Sequence, residues 1–253
     1  MTRHDSSKTV EAVQKILGMI EFLLHQDGAG ITEIADELGR SKGPIHGHMS
    51  TLYKNEYVIK EDKTYRLSLH HLKLGETVRD RLQIYDVVTE ELDNISLVCG
   101  GLAEFAMSEH EQAVYIYKSA GENTVQSASS PGTKINALLS LGKAMMAHMS
   151  ESRINEIIER HRLPKYTENT ITTREALFAE LEEIRISGYA FDREEKIQGL
   201  RCVAAPVTTE TEIIGAISIS GPASRFEGEF YEEELPGNVT RSAYVIEINS
   251  QFS

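Results

Sequence analysis

Four side chains in the last third of the chain could do chemistry together: the carboxylate of Asp192, the thiol of Cys202 and the hydroxyls of Ser218 and Ser220. The two serines are two residues apart, so on a strand they share a face, while Ile217 and Ile219 of the same AISISG run face the other way. Serines turned into a pocket need partners, either neighbouring backbone or a polar ligand. A nucleophilic Cys202 would need an adjacent base and a lowered pKa. The nearest histidine along the chain is His161, and no dyad is visible, so a small buried hydrophobe is the simpler reading of this thiol. Other constellations fail on spacing. A phosphate loop around Gly142-Lys143 needs glycine at 137 and Ser or Thr at 144, and both positions are alanine, Ala137 and Ala144. His46 with His48, and His70 with His71, are spaced by two and by one, which does not gather them on one helix face for a metal. No catalytic residue, metal or cofactor is expected.

A second candidate set lies near the N-terminus. Placed on a helix at 100° per residue, Ile45, Met49 and Leu52 point together toward a core. Gly43, His46, Gly47, Ser50 and Lys54 point away, with Thr51 at the edge. That outer face is polar and lacks bulk. Its glycines would let the backbone come close to a groove wall, and its Ser, His, Thr and Lys can hydrogen-bond to phosphates or base edges. An ordinary solvated face is the alternative, but two mid-helix glycines would then be a cost without a purpose.

The elements that must position these residues follow from periodicity. Val10, Val13, Ile16/Leu17, Ile20 and Leu23/Leu24 repeat with a helical period that stops at Gln26-Asp27-Gly28. A short second helix is expected with Thr32 as N-cap, then a turn at Gly39. Ser41 is a natural N-cap for the third helix, and Pro44 falls in its first turn. Tyr57-Val58-Ile59-Lys60, Glu61-Asp62-Lys63 and Thr64-Tyr65-Arg66-Leu67 read as strand, turn, strand. A hairpin after a helix-turn-helix is a wing, and Lys60, Lys63 and Arg66 could reach a DNA backbone, as could Lys42.

From Leu72 to about Leu97 helical spacing continues, as a connecting helix or a plain packing helix. LAEFAMSE and AVYIYKSAG alternate like paired strands, and Ser127 to Gly132 is a turn-rich loop. Helices are expected at about 135–149, 151–161 and 173–187, strands at about 201–208 and 213–220, and a last helix from about Pro236 to Gln251. Glu232-Glu233-Glu234 reads as a solvated helix start, and Arg201 should point to the side of its strand opposite Cys202. This mixture implies an α+β domain with helices on a curved sheet.

Composition bounds the function. The 253 residues hold 26 Lys+Arg against 39 Asp+Glu, a net charge of −13. The first seventy residues are close to balance, so the excess acid lies in the remainder, which should avoid polyanions while the N-terminal part could meet them locally. No run approaches the ~18 apolar residues that cross a bilayer, and MTRHDSSKTVEAV has no apolar signal core. Cys99 and Cys202 form neither a CxxC nor a disulfide framework, which fits a reducing cytoplasm.

The pattern ITEIADELGRSKGPIHGHMSTLYKNEYV…YRLSLHHLKLGE resembles the N-terminal domain of IclR-type transcription regulators. The resemblance continues in order through SLGKAMMAHM (140–149), RISGYAFDREEKIQGLRC (185–202), GLRCVAAPV (199–207) and AISISGPASRF (216–226). It implies an α+β chain with a winged helix-turn-helix at 1–70, a connecting helix at 71–98 and a GAF-like effector-binding and oligomerisation domain at 99–253. It implies double-stranded DNA with a pseudo-palindromic operator as one partner, and a dimer or dimer of dimers. It also implies a small carboxylate effector on Asp192, Cys202, Ser218 and Ser220 and on the amides of Ser140 and Leu141, where Leu141 would narrow the site. The expected function is a cytoplasmic, effector-controlled DNA-binding regulator and not an enzyme. The alternative, favoured only by the acidic balance, is a small-molecule-binding protein whose winged helix contacts protein.

Overall fold

In a computed structural model, residues 9–110, 112–122, 124, 130–135, 140–209 and 212–250 are described. The chain divides into two compact units between Arg81 and Leu82.

The first unit holds α1 (Glu11–Leu24), β1 (Ala29–Gly30), α2 (Ile31–Glu37), α3 (Lys42–Lys54), β2 (Val58–Glu61), β3 (Thr64–Leu67) and α4 (His70–Arg79). β2 and β3 form the expected hairpin, and β1 adds to its β3 edge. Its core joins Met19 and Leu23 of α1, Ile34 and Ala35 of α2, Ile45, Met49 and Leu52 of α3, and Val58 and Tyr65 of the hairpin. The three α3 residues assigned to the core from the wheel are buried. Thr32 is not the cap of α2. That helix starts at Ile31 with Gly30 as N-cap, because the Glu33 carboxylate accepts the Gly30 amide hydrogen at 2.7 Å. Ser41 does stand at the N-cap of α3, with no side-chain capping bond among the described residues.

The second unit holds α5 (Tyr85–Cys99), β4 (Leu102–Glu109), β5 (Gln112–Ala120), β6 (Lys134–Ile135), α6 (Ser140–Met146), α7 (Glu151–His161), α8 (Arg174–Ser187), β7 (Ala190–Arg193), β8 (Leu200–Thr208) and β9 (Ile213–Pro222). A π-helical turn over Phe230–Glu234 leads into α9 (Leu235–Ser250). The described strands form an antiparallel six-stranded sheet in the order β6-β5-β4-β9-β8-β7. One face packs against α5 and α9 through Phe105, Val203, Ile217 and Ile219. The other packs against α6, α7 and α8 through Ala106, Ala204 and Ala216. Strands covered on both faces are apolar almost throughout, which is why β8 and β9 read as continuous runs.

Two further expectations are corrected, and one strand is added. The single helix from Leu72 to Leu97 is two helices, α4 and α5, separated by turns in which Arg81 N–H donates to the Val78 carbonyl and Tyr85 N–H to that of Leu82. Ile84, Val88, Leu92, Ile95 and Cys99 are buried in the second unit, whereas Leu72, Leu74 and Val78 are exposed. The apolar period runs through the break, and no Pro or Gly marks it. Of the helix expected at about 135–149, the described residues show α6 over Ser140–Met146; Ile135 instead pairs with β5, and the chain leaves the helix after Met146. Residues 136–139 lie outside the described residues, as do Ser127, Ala128 and Ser129 of the expected loop. β7, four residues long, was not expected; a strand so short carries too few alternations to register.

Candidate functional site

The open face of α3 is built by small residues over a fixed apolar face. A Cβ added at Gly43 or Gly47 would meet nothing within 4 Å. Ser41, Lys42, His46, Thr51 and Lys54 are exposed and Ser50 is half-buried, all on the side away from Ile45, Met49 and Leu52. Thr51 is partly engaged, since its hydroxyl donates to the Gly47 carbonyl at 3.1 Å. On the wing, Lys60 and Lys63 are exposed, Lys60 lying 5.3 Å from the centre of the Tyr65 ring. Arg66 is not free. It pairs with Glu61 and donates to the Asp27 carbonyl at 3.2 Å, so a phosphate would have to compete with these contacts.

The second candidate site is the sheet face beneath α6. Register places Asp192 opposite Cys202, Cys202 opposite Ser220, and Ser220 opposite Leu102, a row that crosses four strands on one face. The neighbouring row on the same face runs Ala204, Ser218, Glu104, Lys118. Ser140 opens α6, and its hydroxyl donates to Cys202 Sγ at 3.0 Å. Leu141 is buried and packs into the core on this side of the sheet. Thus Ser140, Leu141, Asp192, Cys202, Ser218 and Ser220 are all buried on one side of the sheet. Arg201 points to the other side, where its guanidinium donates to the Phe226 carbonyl at 2.8 Å and lies over the Tyr231 ring.

Hydrogen bonding and charge tune these groups. Asp192 Oδ1 accepts the Glu195 amide hydrogen at 2.7 Å. Burial nevertheless raises the Asp192 carboxyl above its usual value, against that amide and the charge of Lys143. Burial and then the Asp192 charge push the Cys202 thiol up to about 12, so it is an inert neutral thiol at physiological pH. Ser220 Oγ reaches the Leu102 carbonyl at 3.4 Å. Ser218 Oγ is fully buried and, among the described residues, completes no hydrogen bond, although it lies near enough to Cys202 Sγ to favour the thiolate slightly.

Residues 76–247 match the family described as Bacterial transcriptional regulator IclR C-terminal, and residues 12–62 match the IclR helix-turn-helix domain. The chain belongs to the IclR family. It is a DNA-binding transcriptional regulator with an effector-binding C-terminal domain, in a non-enzymatic family. The HTH-type transcriptional regulator KdgR of Escherichia coli is 30% identical over 231 residues, covering 89% of this chain and 87% of KdgR. The crystal structure of the Thermotoga maritima IclR aligns at a TM-score of 0.78 and 28% identity, over 93% of this chain and 97% of that one. An IclR homolog from Microbacterium hydrocarbonoxydans, complexed with 4-hydroxybenzoate, shares the fold at a TM-score of 0.84 and 16% identity, over 96% of this chain and 100% of that one.

As an IclR-family regulator the chain therefore meets DNA with its helix-turn-helix, which sets aside a winged helix used only for protein contact. Among the described residues no helix is long and apolar enough to cross a membrane, and no group of three or more His, Cys, Asp or Glu is placed to hold a metal. Sequence reasoning missed two charged side chains at the sheet face. Lys143 is completely buried and bridges Glu195 Oε1 at 2.6 Å and Glu180 Oε1 at 3.0 Å, tying α6 to α8 and to the segment after β7. Burial raises the Glu195 carboxyl against the opposing pull of Lys143. Glu104, 7% exposed, pairs with Lys118 at 2.7 Å. Its signal was a carboxylate inside the apolar alternation of LAEFAMSE.

Proposed function

We propose that this regulator reads a pseudo-palindromic operator as a dimer or dimer of dimers and releases or tightens its grip when a small organic acid occupies the sheet face beneath α6. In this reading residues 1–70 bind DNA, 71–98 connect, and 99–253 bind effector and oligomerise. Ser41, Lys42, Gly43, His46, Gly47, Ser50, Thr51 and Lys54 face the major groove, and Lys60, Lys63 and Arg66 reach the flanking backbone. The effector sits on Asp192, Cys202, Ser218 and Ser220, with the amides of Ser140 and Leu141 on its carboxylate.

One observation carries the effector assignment: the cross-strand row Asp192–Cys202–Ser220, roofed by Ser140, lies beside a fully buried Ser218 hydroxyl that completes no hydrogen bond among the described residues. Buried polar atoms are usually satisfied, so a ligand with polar atoms is the natural partner. Beside the oligomerising 99–253 domain, the first unit offers a further surface for pairing, since Val10, Val13, Leu17 and Leu24 of the α1 region and Leu69, Leu72, Leu74 and Val78 around α4 are exposed apolar side chains. One short recognition helix reads few base pairs, and a two-fold symmetric pair doubles the site. The effector acts by differential affinity for two arrangements of the dimer.

A mobility-shift titration on the DNA upstream of its own gene, at several salt concentrations and with a panel of small organic acids, tests this reading. Specific retardation that weakens steeply with salt and changes with one acid is expected. Specific retardation unchanged by every acid would remove the organic-acid effector from the account.

A further inference from the structure

Glu104 lies in the proposed effector face yet plays no part in holding a ligand carboxylate. It stands directly opposite Ser218 across the β4–β9 ladder, and Ser218 stands opposite Ala204. Directly opposed residues of antiparallel strands have Cα atoms about 4.5–5.5 Å apart, so the Glu104 and Ser218 side chains are neighbours. Both are buried, Glu104 at 7% and Ser218 at 0% exposure. Strand register puts Glu104 on the same sheet face as Asp192, Cys202 and Ser220.

Two polar atoms here can take a further partner. Among the described residues, Ser218 Oγ and Glu104 Oε1 complete no hydrogen bond. Lys118 Nζ lies 2.7 Å from Glu104 Oε1 as an ion pair, and a carboxylate, with about four lone-pair sites, can accept a further bond beside it. An ionised carboxylate only accepts, whereas a serine hydroxyl both donates and accepts. A group that donates to one and accepts from the other satisfies both atoms at once, and a hydroxyl is that group.

We propose that Glu104, together with Ser218, is a specificity-determining pair that reads a hydroxyl on the effector, so that the ligand is a hydroxylated organic acid and not a simple fatty or keto acid. This rests on the effector face argued above. The acid's carboxylate occupies the Asp192–Ser140 end, and its hydroxyl bridges Glu104 and Ser218. A site built to bond a hydroxyl rejects the analogue lacking it, because the buried Ser218 hydroxyl is then left unpaired and the Glu104 carboxylate loses a donor. A bond to a charged acceptor makes that discrimination about 10- to 100-fold.

The test is calorimetric titration of the full chain with matched pairs: gluconate against hexanoate, 4-hydroxybutyrate against butyrate, and lactate against propionate. At least one hydroxylated acid is expected to bind about 10-fold or more tightly than its partner. Glu104→Gln and Ser218→Ala should each bring that ratio to within about threefold, mainly by weakening the hydroxylated acid. Thermal midpoints check folding, and Ser218→Ala, which removes a single atom, carries the test if Glu104→Gln does not fold. An unchanged ratio in the folded variants overturns the proposal, as does tighter binding of the deoxy acids or no binding by any pair. Asp192→Leu, which removes the polar group altogether, separates the two readings. If it abolishes binding while Glu104→Gln leaves the ratio intact, the effector face stands and the Glu104 role falls. If it leaves binding of every acid intact, the face itself falls.

Discussion

The hydroxyl of Ser140 donates to the sulfur of Cys202 at 3.0 Å, joining the first residue of α6 to the second-to-last strand of the sheet. The bond explains why a thiol suits this position. Sulfur is a weak acceptor that tolerates burial, and a neutral thiol adds no charge beside Asp192. Thiol chemistry should be silent as a result. Cys202 is pushed up to about 12 and Cys99 to about 11, both mainly by burial. In the native protein at neutral pH, iodoacetamide should leave both cysteines unmodified by intact-mass analysis, with labelling appearing only on unfolding. Rapid labelling of Cys202 in the folded state would contradict the packing described for α6.

On the proposed site, the pH dependence of effector binding is set by Asp192. Its folded pKa lies above 3.8 because burial opposes the charge. The native state thus keeps a proton that the unfolded chain has released, and this group's contribution to stability is lost as pH rises from 3.8 through the folded value. An organic anion faces the same charge. Its affinity should strengthen as pH falls toward the folded pKa of Asp192, by at most about tenfold per pH unit, since one proton is taken up. Asp192→Asn should flatten the profile. A profile equally steep in the variant would show that another group titrates.

Lys143 makes a separate, structural prediction. Its ammonium is fully buried between Glu180 and Glu195. Removing one member of a buried charged cluster leaves the others uncompensated, so Lys143→Ala should cost about 3–5 kcal/mol by urea denaturation. Lys143→Ala combined with Glu180→Gln and Glu195→Gln should recover part of that loss. A loss below about 1 kcal/mol would mean that water reaches the cluster and screens it.

The glycines of α3 separate stability from function. The space at Gly47 is open, so Gly47→Ala should raise helix stability by about 0.5–1 kcal/mol while weakening operator binding. Lys42→Ala or Lys54→Ala should weaken binding to all DNA and lower the salt slope, whereas changes at His46 or Ser50 should alter sequence preference. Gly47→Ala with full operator affinity would move the recognition surface off this face.

The legibility of the sequence differs between the two units. The winged helix is a chain of local signals, and the wheel through Ile45, Met49 and Leu52 marks the buried face of α3 directly. Arg66 illustrates what such signals omit, because its bonds to Glu61 and Asp27 depend on the hairpin closing. In the second unit the Asp192, Cys202 and Ser220 row becomes visible only once strand register is known, since these residues come from three strands. The Ser218–Glu104 pairing spans more than a hundred residues and crosses between sequence-distant strands, so alternation within LAEFAMSE cannot name its partner. The break between α4 and α5 left no mark either, because burial of Ile84 sets the start of α5 and no helix-breaking residue does.

The account rests on coupling between the sheet face and the DNA-binding face, and reciprocity tests it most directly. Once an effector acid is in hand, its affinity should be measured by calorimetry for the free protein and for the protein–operator complex, and operator affinity should be measured with and without the acid. The two ratios must agree, and a factor of about 5–150 is expected. An acid that binds free and operator-bound protein equally tightly, while Asp192→Leu abolishes its binding, would show a ligand site that does not control DNA.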